Sequence, residues 1–263
     1  MATNPVLESG SRRKPGDEYV QSLARGLAVL RTFSATTPRQ TLTEVAKRAG
    51  LDRAGARRAL LTLKGLGYIG QEGRSFLPMP SVLNLGYSYL STIPWWSHAE
   101  RKLIELTETV NESAGFGVLN GSHVVLVVCV HARKNPRSVG LVVGRRAPAH
   151  CTAKGRILLG SWFSDAEVQE LLEERPLPRM TQYTTTSVSS LVDAIRSDRT
   201  RGWSLVNREF RESVCSVAVP VYGPNKQLIG ALSVSSANEE RTSARMVDTV
   251  LPRLQETAAR MWF

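Results

Sequence analysis

The sequence predicts an α+β chain: an N-terminal winged helix-turn-helix followed by a larger mixed domain. Three patterns predict it. Residues 41–66 hold two helical repeats broken at a glycine. A short apolar hairpin pattern follows them directly. Further on, an Asn120-Gly121 turn joins two β-rich runs.

Residues 1–17 are rich in Pro, Gly, Ser and Arg and read as a disordered lead. Leu23, Leu27, Leu30 and Phe33 then recur at helical spacing over 22–33. In TLTEVAKRAGLDRAGARRALLTLKGL, Leu42, Val45, Ala46 and Ala49 line one face of a first helix, and Gly50 ends it. Asp52 is a good N-cap for the second helix. That helix keeps Ala56, Ala59, Leu60 and Leu63 on one side. Its other side carries Arg53, Arg57, Arg58 and Thr62, with Ala54 and Gly55 leaving the surface low. A braced second helix with a basic outer face suits entry into a DNA major groove. An ordinary αα-hairpin with a solvated basic face is the alternative. The continuation favours the winged motif: Tyr68 and Ile69, a polar turn at 71–74 with Arg74 at its tip, then Phe76 and Leu77. These features place the winged domain at 18–79.

Ser81 is expected to cap an apolar linker helix within 80–97, which Pro94 ends, and the second domain runs over 98–263. There the pattern gives a helix at 98–110, strands at 114–119, 124–130 and 138–143, and a helix at 152–162 capped by Thr152. Helices at 165–174 and 187–201 follow, then strands at 203–206, 215–222 and 228–235, and one long helix at 242–262. Mixed helices with antiparallel hairpins indicate an α+β sensor-like domain.

Composition bounds the function. The net charge of +11 is uneven: residues 1–80 hold 13 Lys/Arg against 6 Asp/Glu, and residues 81–263 hold 21 against 17. Most of the excess therefore sits in the third of the chain expected to meet DNA. Three scattered cysteines, with no C-x-x-C, suggest reduced thiols rather than a disulfide or zinc framework. No run approaches a membrane span and the start lacks a signal-peptide core, so a cytoplasmic protein with no membrane partner is expected. The histidines show no metal spacing, and no P-loop or G-x-S-x-G occurs. No metal, cofactor or catalytic residue is expected.

YVQSLARGLAVLRTF at 19–33, ARRALLTLKGLGYI, and SVLNLGYSYL at 81–90 carry a more specific signal. So do VGRRAPAHCTAKGRILL, RGWSLVNREFRESVCSVAVPV and GALSVSS. With these the chain resembles the IclR family of transcriptional regulators, and within it the Pca-type regulators of protocatechuate and β-ketoadipate catabolism. The resemblance covers nearly everything past residue 17. It implies a winged helix-turn-helix, a linker helix and a GAF-like effector-binding domain. It also implies a homodimer or dimer of dimers on double-stranded palindromic promoter DNA.

The family fold places an effector pocket at the loop and helix start 150–155, with Cys151, Thr152, Ala153, Lys154 and Gly155, at the segment from Asn207 to Ser216, and at Ser233 and Ser235. A helix start offers free N–H groups, and alternate serines on a strand share one face, which suits a small carboxylate. Leu141 and Val143 are expected to cover its apolar part. The chain departs from the family at Lys154, Asn207 and Cys215, where small or apolar, acidic and arginine residues are respectively frequent. Lys154 is thus either a new carboxylate partner or a solvent-facing lysine. The expected function is effector-responsive regulation of aromatic or organic acid catabolism, with protocatechuate or β-ketoadipate as the expected effector. The alternatives are a ligand-independent DNA-binding protein or an enzyme acting on a small organic acid.

Overall fold

A computed structural model describes residues 19–136, 138–237 and 242–261. The chain divides between Ile93 and Pro94 into two compact units.

The first unit holds helices α1 (Gln21–Leu30), α2 (Leu42–Ala49) and α3 (Arg53–Gly65), with strands β1 (Gln40–Thr41), β2 (Ile69–Glu72) and β3 (Ser75–Pro78). Local chemistry sets each boundary. Thr41 and Glu44 form a reciprocal capping box that starts α2, and Gly50 ends it at φ 64°, a region open to glycine without steric cost. The Asp52 carboxylate then accepts from the Gly55 N–H to start α3. Val29, Val45, Leu60, Leu63, Ile69 and Phe76 close the small core. Gly55 is buried beneath Asp52, so it does not lower the outer face as expected. After the wing, Ser81 lies inside a 3₁₀ turn, Pro80–Val82, and α4 (Leu83–Leu90) begins with no side-chain cap.

The second unit is built on a six-stranded antiparallel sheet in the order β6-β5-β4-β9-β8-β7. Its strands are β4 (Ser113–Asn120), β5 (His123–Val130), β6 (Arg146–Pro148), β7 (Ser204–Asn207), β8 (Val214–Tyr222) and β9 (Leu228–Ala237). Helices α6 (Ala153–Trp162), α7 (Asp165–Glu173) and α8 (Val188–Arg201) build the core that includes Ala218 and Ala231. Helix α5 (Trp96–Val110) and the C-terminal α9 (Thr242–Arg245) and α10 (Leu251–Ala259) complete the unit.

Two expected elements differ. Residues 138–143 form no strand. The outer edge of β5 is taken by the chain that follows: Gly144 donates to the Leu126 carbonyl, and Leu126 N–H donates to Arg145 O. Pairing then continues through β6, where Val125 lies opposite Arg146. The long C-terminal helix is also interrupted. Pro252 has no N–H to give to a carbonyl one turn back, and a π turn at Met246–Val250 joins α9 to α10. Trp262 and the 1–17 lead lie outside the described residues.

Candidate functional site

The first unit offers a basic helix face. Arg53 and Arg57 sit one turn apart on α3, and Arg58 and Thr62 form the adjacent row; all four are exposed. Ala56, Leu60 and Leu63 face the core on the opposite side. Thr62 turns its hydroxyl back to the Arg58 carbonyl, 3.0 Å away. Arg74 is exposed at the hairpin tip beside Gly73, whose φ of 57° makes the tight turn. The end of β2 next to the hairpin tip is braced by Lys64 Nζ on Gln71 Oε1, 2.9 Å, and by the Arg39–Glu72 ion pair. Every carboxylate among the described residues of this unit has local work. Glu44 closes the capping box, which holds its pKa below the usual carboxylate range, Asp52 caps α3, and Glu72 meets Arg39. Among the described residues none of these carboxylates pairs with Arg53, Arg57 or Arg58.

The second unit holds a cavity of about 100 Å³ between the sheet face and the start of α6. Register explains its polar wall: Ser216 on β8 stands opposite Ser235 on β9, and their hydroxyls lie 2.9 Å apart. Ser233, two residues away, shares that face and meets Lys154 Nζ at 2.6 Å. Lys154 therefore points inward, and burial lowers its pKa to about 8. Thr152 caps α6 by accepting from Gly155 N–H at 3.2 Å. Cys151, Thr152, Ala153, Lys154, Ser216, Ser233 and Ser235 all line the cavity.

Gly155 and Asn207 do not line it. Gly155 has a packing role: a Cβ there would lie 2.1 Å from the Ala149 carbonyl oxygen, so only glycine lets α6 start so close to that segment. Asn207 points the other way on β7 and donates to Ser243 Oγ at 3.1 Å, on the side where Cys215 Sγ also approaches Ser243. Strand alternation puts Val206, not Asn207, at the cavity. Leu141 lines the apolar part with Val142; Val143 does not.

Sequence reasoning placed the 207–216 segment at the pocket without singling out Phe210 or Arg211, and it missed Arg145; all three stand at the cavity wall. Arg211 is half-buried, and its pKa is pushed down by burial and then by the charge of Arg145. Three cations, Arg145, Lys154 and Arg211, thus converge on a cavity with no carboxylate among the described residues that line it. A buried ion pair fixes the loop that carries Phe210 and Arg211. Arg156 Nη2 meets Glu209 Oε2 at 2.7 Å, Arg156 Nε donates to His150 O at 2.8 Å, and Thr185 N–H donates to the same carboxylate at 3.0 Å. Arg208 takes the left-handed φ of 67°, with its guanidinium 3.8 Å over the Tyr183 ring and its carbonyl accepting from Thr181. The signal for this loop was the charged NREFRE run inside a segment already expected at the pocket.

Cys151 and His150, adjacent in the chain, do not form a nucleophile–base pair. Burial, reinforced by Glu209, pushes the Cys151 thiol up to about 12, and its sulfur faces the Pro148 carbonyl at 3.8 Å. His150 turns away to the Pro178 carbonyl.

An exposed basic helix in a helix-turn-helix unit and a cation-lined cavity in the other unit fit a ligand-responsive regulator of transcription, and the relatives bear this out. Residues 22–73 match the IclR helix-turn-helix domain, and residues 87–261 match the bacterial transcriptional regulator IclR C-terminal domain. The chain belongs to the IclR family. It is 34% identical to the Pca regulon regulatory protein of Pseudomonas putida over 254 residues, covering 95% of this chain and 87% of that one. It is 32% identical to the p-hydroxybenzoate hydroxylase transcriptional activator of Acinetobacter baylyi, covering 92% and 90%. A crystal structure of a transcriptional-regulator candidate from Rhodococcus sp. RHA1 superposes with a TM-score of 0.78 at 36% identity, over 92% of this chain and 97% of that one. Among the described residues, no helix is long and apolar enough to cross a membrane.

Proposed function

We propose that this protein controls genes for breakdown of aromatic or related organic acids in response to a small carboxylate bound in the cavity of the second unit. The observation that carries the reading is the cavity itself: three cations and three serine hydroxyls, with no carboxylate among the described residues that line it. Charge-assisted hydrogen bonds would hold an acid group there firmly, while Leu126, Leu141 and Phe210 cover a ring or short chain. The names of the Pseudomonas and Acinetobacter relatives support an aromatic-acid pathway. Calorimetry with hydroxybenzoates, protocatechuate and β-ketoadipate, each against its methyl ester, tests the reading. Tight binding of an acid and loss with its ester is expected, with weaker binding in Ser235→Ala. Equal affinity for acid and ester would remove the carboxylate from the site.

On the DNA side, Arg53, Arg57, Arg58 and Thr62 read or grip a palindromic promoter site, and Arg74 grips the flanking backbone. A homodimer, or a dimer of dimers, acting in the cytoplasm fits such a site. The apolar faces of α1 and α4 support it: Leu23, Leu27, Leu83, Leu85 and Tyr87 are all exposed. Sedimentation of Leu85→Asp is expected to show a loss of dimer with the fold retained.

A further inference from the structure

Lys154 reaches its place over a glycine. A Cβ at Gly117 would lie 3.2 Å from Lys154 Cδ, so the bare β4 backbone leaves the channel for the lysine stem. At the end of that stem Nζ donates to Ser233 Oγ, a neutral partner, at 2.6 Å. The ionisable groups around it are Cys129 and, on the same cavity wall, Cys151, Arg145 and Arg211. Burial raises both thiol pKa values and the arginines are cations, so no carboxylate among the described residues that line the cavity holds the lysine in its ammonium form. The result is an amine aimed into a small ligand cavity, beside two guanidiniums able to anchor a carboxylate.

We infer that the effector is an oxo carboxylic acid, an aldehyde or ketone that also bears a carboxylate, and that Lys154 holds it through a reversible imine. This rests on the reading that the cavity takes a carboxylate. The neutral Nζ lone pair adds to the carbonyl carbon and gives a carbinolamine. Its oxygen then leaves as water, carrying the two protons the amine has given up, as the C=N bond forms. No oxidant or reductant is consumed, and water reverses the step. The Ser233 hydroxyl is placed to pass the first proton. With a pKa of about 8, roughly a tenth of Lys154 is neutral near pH 7, about 300-fold more than for an ordinary lysine. A bond to a carbonyl also gives a cavity of only about 100 Å³ a hold on a molecule too small to bury much surface, and it favours an oxo acid over a hydroxy acid of the same shape.

The test uses the full chain with 4-formylbenzoate, levulinate or 2-oxoglutarate, followed by sodium borohydride and intact-mass and peptide mapping. One of these acids is expected to leave a single adduct per chain, of the mass of the acid less one oxygen, mapped to Lys154. 4-Hydroxybenzoate should leave none. Lys154→Arg, which keeps charge and length, should lose the adduct, and thermal melting checks its fold. Should that variant fail to fold, the peptide map of the wild type decides alone. Oxo acids that bind by calorimetry yet leave no adduct at Lys154 would overturn the imine and leave the carboxylate reading standing. If neither oxo nor hydroxy acids bind, the carboxylate reading fails and takes the imine with it.

Discussion

The arginines of α3 and the cations of the cavity are both proposed to meet an anion, but they stand in different surroundings. Arg53, Arg57 and Arg58 stand in water, where salt screens them and where a bound phosphate gains mainly by releasing counterions. Arg211 and Lys154 are both partly shielded, and burial lowers the pKa of both. The exposed set is therefore tuned by ionic strength and the shielded set by pH and by what fills the cavity. Each set can be perturbed without the other.

The largest effect is expected at the buried pair that fixes the cavity loop. Glu209→Ala leaves Arg156 uncompensated, so unfolding free energy should fall by about 3–5 kcal/mol in urea titrations, with ligand binding lost. A small loss of stability would mean that the loop does not depend on this pair.

The lysine comes next. Its folded pKa of about 8 lies below the unfolded value, so the unfolded chain binds more protons between about pH 8 and 10.5. The stability of wild type relative to Lys154→Met should rise with pH across that window, by at most roughly 3 kcal/mol. In the same experiment affinity for a non-carbonyl acid should weaken above pH 8 in the wild type and stay flat in Lys154→Met. A flat stability difference would mean that Lys154 is solvated.

On the exposed side, Arg57→Ala should cost about 1–3 kcal/mol on the specific site if it contacts a base edge, and little on random DNA. Arg74→Ala should have the smallest effect: a uniform weakening, with the salt slope reduced by about 1. Gel shifts across a salt series separate the two. Equal losses on both DNAs for Arg57→Ala would move it from readout to backbone contact.

The winged unit was nearly all legible in the sequence because its boundaries are set by neighbours in the chain: Thr41 with Glu44, Asp52 with Gly55, Gly50 at the turn. The cavity was legible where it rests on strand alternation, as for Ser233 and Ser235. It was not legible where long-range contacts decide. Arg211 reaches the wall only because Glu209 is bound to an arginine 53 positions away. Asn207 was misplaced because one residue of strand phase moves a side chain to the opposite face. The expected strand at 138–143 failed for a related reason: its apolar residues are β-like, but the edge of β5 had already been filled from Gly144 onward.

The order of the sheet has a consequence for how copies of this chain meet. Its two outermost strands, β6 with 3 residues and β7 with 4, are the shortest in the sheet, while the inner four run to 8, 8, 9 and 10. Short borders give a neighbouring chain few backbone groups on which to add a strand. Ribbon-like self-addition, the usual hazard of a broad antiparallel sheet, is thereby disfavoured, and any association of copies is left to side-chain faces whose shape can specify a partner.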